Sequence, residues 1–457
     1  MTDDKTQAAQ DAPMVPRAMY EELAAEHARA QEIIDKQRDA MGELAGLLRR
    51  GGSAAGSGGD NGGNAHIDAV EKAMDGMVAA QNGRGVRGDG HHMVWWRSAM
   101  LDEFIQGDRQ LHDLTLLKPE VFEYVVHKVE EYMETDGGKL YYDLNLRSSD
   151  PGNRSKLKIR YMVFMNFFIK RTNAVPAVVG VLFGMHRTTV QRQTDFMDGI
   201  LEKVLPGITN MGRRLSAIES SEEFVEFTQG VLMHDGTLTT APDSTDAENG
   251  ETSGYSGKHH APGFNTVLTC TGRGLLVKST TVPGNRHDFG VMRENPIDLG
   301  LWHMKGEPEN EESAKVMAAV KSMGDKGFKG MCRRFKHIRN AVPHTGKGVK
   351  SPKEIKEAYK SGNDAAVAAA LGLTPEQYAE NRALSSERSL IERVIGSLKR
   401  WNILAGPFRG TASQLGRQFD ILGGIVNLDI LWPEIEKREA PLLAMLAERR
   451  AAYTKRR

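Results

Sequence analysis

Cysteine is scarce, with Cys270 and Cys332 the only two. Two thiols without CxxC spacing cannot frame a fold with disulfides or build a thiolate zinc site, and they point to a reducing compartment. Net charge is absent too: 60 Lys plus Arg balance 60 Asp plus Glu. Without a global basic field, any binding to a polyanion must use cations gathered on one face. No run of about eighteen apolar residues occurs, and the start Met1-Thr2-Asp3-Asp4-Lys5 lacks the apolar stretch of a secretory leader. A soluble chain, neither secreted nor membrane-spanning, is expected.

What is present is ample for folding. A chain of 457 residues, 40% of them apolar, can bury a sizeable core in two to four domains. Leu23, Ala30, Ile34, Met41, Leu44 and Leu48 recur at imperfect heptad spacing over residues 19–50, which reads as a weak coiled coil or a lone amphipathic helix. Residues 51–64 are nearly all Gly, Ser, Ala, Asp and Asn, a composition that cannot repay ordering and suits a tether. A short helical pattern (Ile67, Val70, Met74, Met77, Val78) and a second Gly-rich stretch, 82–90, follow. The organisation expected is a flexible extension over 1–92, a helical domain over 93–215, a mixed domain over 216–432 and a basic tail over 433–457.

Trp95, Trp96, Leu101, Phe104 and Ile105 fit one helix of the second region. Residues 119–133 fit another, opened by Pro119, and residues 157–170 a third. Then come an apolar segment (175–183), Gly184-Met185-His186, and Arg187-Thr188-Thr189-Val190-Gln191-Arg192-Gln193. Buried helix, tight turn and polar helix make a candidate helix-turn-helix, with Arg187, Thr188, Gln191 and Arg192 facing DNA base edges. A purely structural helix pair is the alternative.

Past Phe224 the period becomes extended. Gly230-Val231-Leu232-Met233-His234-Asp235 reads as a buried strand ending at an acid, and residues 265–271 and 275–282 as a hairpin through Gly272-Arg273-Gly274. Residues 242–263 read as a polar loop, 287–302 as a helix, and 307–312 as an acidic connection. Residues 385–404 and 411–431 read as the last two helices. Strands first and helices later make an α/β (α+β) core beside an all-helical head.

Three acids stand in small or basic contexts: His234-Asp235-Gly236, Gly324-Asp325-Lys326-Gly327 and Arg388-Ser389-Leu390-Ile391-Glu392-Arg393. Moving a phosphodiester needs an acidified nucleophile and a neutralised leaving oxygen. Two Mg²⁺ or Mn²⁺ ions about 3.5–4 Å apart supply both and bind carboxylate oxygen. Gly236, Gly324 and Gly327 would let a phosphate backbone approach. Arg388, Glu392 and Lys399 share one helix face away from the Leu390, Ile391, Val394 and Leu398 stripe. Residues 326–350 add eight Lys or Arg, Lys326 among them, and no acid, which suits DNA. Asp288 reads as a helix cap or as an auxiliary fourth acid, with capping preferred. Each acid alone would be an ordinary turn or surface residue.

Taken in order, Gly230-Val231-Leu232-Met233-His234-Asp235-Gly236-Thr237, Tyr255-Ser256-Gly257-Lys258, Gly284-Asn285-Arg286-His287-Asp288, Gly324-Asp325-Lys326-Gly327-Phe328 and the run from Ser385 through Glu392 to Lys399 resemble the successive blocks of PIF/Harbinger-type DDE transposases and the nucleases derived from them. The likeness spans about residues 95–432. It implies an RNase H-like catalytic core with an N-terminal helix-turn-helix domain, Asp235, Asp325 and Glu392 as catalytic metal ligands, and a metal-dependent endonuclease. The activity implied is cleavage of double-stranded DNA at transposon ends and joining of 3′ hydroxyls to target DNA. A Myb-like partner protein, a homo-oligomer and a nuclear location are expected, or a cytoplasmic location for a prokaryotic source. His234 departs from the usual apolar residue, and a helical insert near 350–380 lengthens the Asp325 to Glu392 stretch. A domesticated descendant that binds DNA or partners without transposing is the alternative. A His/Asp metal phosphohydrolase using His234, His259, His260, His287 and Asp288 is a weaker one.

Overall fold

The computed structural model describes residues 104–145, 159–183, 185–242 and 254–455. The helical and Gly-rich segments expected over 19–90, the Trp95–Trp96 end of the first domain helix, Gly184 of the turn and residues 243–253 of the polar loop lie outside the described residues. The chain divides into two compact units, one of Met1–Asp113 with Gly180–Met185, the other of Leu114–Val179 with His186–Arg457.

In chain order the helices before the sheet are α1 (Asp108–Thr115), α2 (Pro119–Glu134), α3 (Asp136–Asn145), α4 (Ile159–Thr172), α5 (Pro176–Phe183), α6 (Arg187–Val204), α7 (Ile208–Ser216) and α8 (Ser221–Thr228). Pro119 opens α2, where a missing N–H costs nothing. Val121, Phe122, Val125, Val126 and Val129 then bury the stripe that their spacing predicts. The expected third helix is α4, buried along nearly its whole length. It carries Lys170, whose ammonium bonds Asp198 of α6 at 2.8 Å and Gln418 at 2.5 Å. Such a cation is tolerable inside only because it is paired.

The second unit continues as a mixed α+β core. Strands β1 (Val231–Thr240), β2 (Tyr255–Ser256), β3 (Ala261–Thr271) and β4 (Leu276–Pro283) lead to α9 (Asp288–Glu294), the small pair β5 (Asp298–Leu299) and β6 (Trp302–His303), and α10 (Glu311–Ala319). Then come β7 (Lys321–Met323), a 3-10 turn (Lys326–Phe328), α11 (Met331–Arg334) and β8 (Arg339–Ala341). Strand β3 pairs antiparallel with both β1 and β4, and β7 and β8 run parallel to β1. A cluster including Leu215, Phe224, Leu232, Leu275, Trp302, Val316 and Phe328 fills one side, each buried large side chain contributing roughly 1.5–3 kcal/mol.

The hairpin matches expectation, but several boundaries differ. Strand β1 does not stop at Asp235: β3 pairs it through Thr240, opposite Gly263. The loop expected over 242–263 contains β2 and the start of β3. The helix expected over 287–302 ends at Glu294, because Asn295 precedes a proline and leaves helical geometry, with φ −122° and ψ 71°. The acidic connection opens α10, whose first turn is capped by Asn310 accepting from Ser313 N–H at 2.8 Å.

Helices α12 (Pro352–Lys360) and α13 (Asp364–Ala370) form the insert. Val367, Ala368 and Tyr378 give it a small core of its own. The Glu392 helix, α14 (Pro375–Lys399), starts earlier than expected because Thr374 and Gln377 form a capping box. After α15 (Asn402–Ala405), α16 (Ala412–Arg438) continues past the expected end, and the expected tail is helical as α17 (Ala440–Lys455). Arg449 of α17 forms a two-pronged ion pair with Glu130 of α2 at 2.7 and 2.8 Å.

Asn427 pins α16 to the sheet. It accepts from Leu276 N–H at 2.7 Å and donates to the Leu276 and Pro206 carbonyls at 2.9 Å. Asn427→Ala would strand all three buried backbone groups, and a loss of roughly 3–5 kcal/mol is expected in urea denaturation. A loss under about 1 kcal/mol would refute that role.

Candidate active site

Strand alternation sends His234 and Asp235 to opposite faces of β1. His234 is fully buried, with Nδ1 2.9 Å from Thr269 Oγ1 and Nε2 3.0 Å from Ser322 Oγ. The ring therefore stitches β1 to β3 and β7. Both nitrogens are occupied, so His234 is no metal ligand, and the His/Asp phosphohydrolase reading loses its strand-end histidine. Burial pulls the imidazole down to about 3, against about 6.5 unfolded. The unfolded chain then binds a proton that the folded chain refuses. This stabilisation is present above pH 6.5 and is lost as pH falls toward 3. Between about pH 6.5 and 4, the wild type is expected to lose roughly 3 kcal/mol more than His234→Gln in a denaturation series. Parallel pH profiles would refute it.

Asp235 lies on the other face, mostly buried. Burial raises its carboxyl to about 6 despite the lowering effects of Arg388 and the Gly236 N–H, and Asp325 and Asp288 raise it further. Arg388 of α14 is its positive partner, with Nη2 3.5 Å from Oδ2. The Arg388 Nε is buried and has no hydrogen-bond partner among the described residues. Asp325, just past β7, accepts from Gly327 N–H at 2.7 Å and opens the 3-10 turn. Glu392 follows Arg388 by one helical turn, is exposed, and forms no hydrogen bond or ion pair among the described residues. The structure thus brings Asp235, Asp325, Asp288 and Arg388 into one electrostatic neighbourhood and leaves Glu392 at its margin.

Asp288 corrects an expectation. It is the first residue of α9, and the cap position, His287, makes no capping bond with its side chain. The Asp288 carboxylate instead accepts from Asn265 Nδ2 at 2.7 Å. It fills the space beside Gly236, where a Cβ would lie 2.1 Å from Oδ1. Gly236 leaves the room that carboxylate occupies. The other two glycines also serve the protein itself, since a Cβ on Gly324 would strike Phe328 and one on Gly327 would strike Asp325. The missed signal was the placement of Asn265 on β3, opposite Leu238 and two positions along β1 from Gly236, which only strand pairing reveals.

Lys399 is also reassigned. Its ammonium donates to the Leu238 and Leu404 carbonyls at 2.6 and 2.7 Å and to Thr239 Oγ1 at 3.3 Å, and burial pulls it down to about 7. With its donors spent inside the protein, it offers nothing to DNA. Phe408 N–H meets the Thr240 carbonyl nearby at 2.8 Å. Lys326 is exposed, while Arg388 faces Asp235 and not solvent.

On α6, Arg187, Thr188, Gln191 and Arg192 are exposed. Gln191 bonds Asp195 at 3.0 Å, and Thr188 pairs with His186 at 2.8 Å. Thr188, Gln191 and Arg192 line an open groove of about 490 Å³ with Tyr141, Phe196 and Arg417.

The donor chemistry at Asp235 suits a hard divalent cation: carboxylates only, with one of them raised by burial. Among the described residues no three such groups stand close enough to surround one ion.

Compared with known families, residues 234–427 match the model described as DDE superfamily endonuclease. No curated protein and no solved structure matches the chain. The matched segment runs from the residue before Asp235 to Asn427 and takes in Asp288, Asp325, Arg388 and Glu392. It supports a DDE transposase-type family and suggests a nuclease, and the mixed sheet is consistent with a DDE nuclease fold. No helix among the described residues is long and apolar enough to cross a membrane.

Proposed function

We propose that the chain is a metal-dependent DNA endonuclease of transposase type that cleaves element ends and joins the freed 3′ hydroxyls to target DNA. The carrying observation is Asp235: a buried carboxyl raised to about 6, with Asp325 and Asp288 acting on it, inside the segment matched to the endonuclease family. The antiparallel β4-β3-β1 set followed by parallel β7 and β8 supports an RNase H-like core.

Asp235, Asp325 and Glu392 would hold the cation, which when bound acidifies the attacking oxygen and neutralises the leaving one. The likeness to DDE superfamily endonucleases favours a divalent metal, and two Mg²⁺ or Mn²⁺ ions are the form proposed. Asp288 lies beside Gly236, where its charge helps to raise the Asp235 carboxyl. Arg388, 3.5 Å from Asp235, compensates its charge. Arg187, Thr188, Gln191 and Arg192, exposed along α6, are the proposed DNA readers. A PIF/Harbinger origin, a Myb-like partner, a homo-oligomer and a nuclear location complete the proposal.

The test is a plasmid-nicking and strand-transfer assay with Mg²⁺ or Mn²⁺, using DNA that bears the element's own ends. Nicked product that disappears with chelator is expected. Equal cleavage in chelator would refute a metal-dependent mechanism.

A further inference from the structure

We propose that the helical insert between β8 and α14 is a docking platform for the phosphate backbone of duplex DNA, formed by one lysine face of α12 and the strap before it. This rests on the reading of DNA as the substrate and assigns that substrate a surface outside the acid site.

Residues 326–360 carry eleven Lys or Arg and two acids, Glu354 and Glu357, in a chain of zero net charge. At about 100° per residue, Lys353, Lys356 and Lys360 fall within about 60° of one another on α12. Ala358, on the opposite side, packs onto the insert's own core. The lysine face therefore points away from the protein, and all three lysines are exposed.

The strap is fixed to the same module. Lys347 N–H bonds the Gly372 carbonyl at 3.2 Å and Lys350 N–H the Ala370 carbonyl at 3.0 Å, which ties the exposed strap lysines to the insert, Lys350 also pairing with Glu354 of α12 at 4.0 Å. Among the described residues, the ammonium groups of Lys347, Lys353, Lys356 and Lys360 form no ion pair. Glu354 is engaged in the capping box with Ser351. Glu357 remains on the lysine face as its one free acid. Lys353 to Lys360 spans about 10 Å of helix, the reach of about three phosphates on one strand. Duplex DNA, with its dense and regular charge, is the partner that such a rigid row fits.

The experiment is fluorescence anisotropy of the full chain on duplexes of unrelated sequence, titrated with NaCl in EDTA so that no cleavage intervenes. In Lys353→Gln/Lys356→Gln/Lys360→Gln, the log-log salt slope should become shallower by about 2–3, with binding on the order of tenfold weaker for every sequence. The triple Lys→Arg variant should restore both. Glu357→Gln should tighten binding by a few-fold. An unchanged slope in the triple Gln variant, or a loss confined to single-stranded RNA, overturns the proposal. Because cleavage is not read, an inactive wild type would sink the nuclease assignment and leave these outcomes legible.

Discussion

Asp235→Asn is expected to make the metal-free protein more stable while abolishing cleavage. The folded carboxyl titrates at about 6, against about 3.9 unfolded. Between those values the folded state holds the extra proton, so stability falls as pH rises through the window, and the full deficit applies above about pH 6. About two units correspond to ~3 kcal/mol, and with the side chain 18% exposed, solvent screening removes little of it. The amide carries no charge to desolvate. A gain of ~2–3 kcal/mol is expected in EDTA at about pH 7.5, shrinking to nothing below about pH 4. Cleavage with Mg²⁺ should fall on the order of 10³-fold, ~4 kcal/mol of transition-state stabilisation. Asp325→Asn and Glu392→Gln should match the cleavage loss. Urea denaturation beside single-turnover nicking reads both, and an active Asp235→Asn would remove this carboxylate from the mechanism.

Gly236→Ala should separate the site from the scaffold. The added methyl would lie 2.1 Å from Asp288 Oδ1, so the carboxylate must leave its place and its bond to Asn265. A side-chain tip moves cheaply, and the fold should lose no more than about 1–2 kcal/mol. Cleavage should nevertheless drop on the order of 10²-fold, because a small misplacement at the reacting centre is costly. Asp288→Asn should reproduce the loss in part. Wild-type cleavage by Gly236→Ala would show that Asp288 has no part in the reaction.

The helices whose apolar stripes are strong, α2 and α4, were legible from spacing, and so was the β3–β4 hairpin, because turn residues separate two β-rich runs. Asp235 and Asp325 could be singled out by their contexts, and the structure places them in one electrostatic neighbourhood. Other features depended on pairing across the chain. Nothing local says that β3 will carry β1 beyond Asp235, or that Asn265 will hold Asp288 there. Lys399 has the spacing of a phosphate ligand but lies where β1 carbonyls need a donor, and periodicity does not distinguish the two. His234 looked like a departure among apolar neighbours. Its two hydroxyl partners, Thr269 and Ser322, lie on other strands, so its role could not be read from local sequence.

Strand β7 accompanies β1 only as far as Met233. Beyond that point β1 has an open edge, the kind of exposed template on which other chains add strands and aggregates grow. Lys399 and Phe408 close it by taking the Leu238 and Thr240 carbonyls. Burying an ammonium there guards against unwanted pairing between molecules. Removing it, as in Lys399→Met, would show first as self-association at high concentration, before any change in cutting DNA.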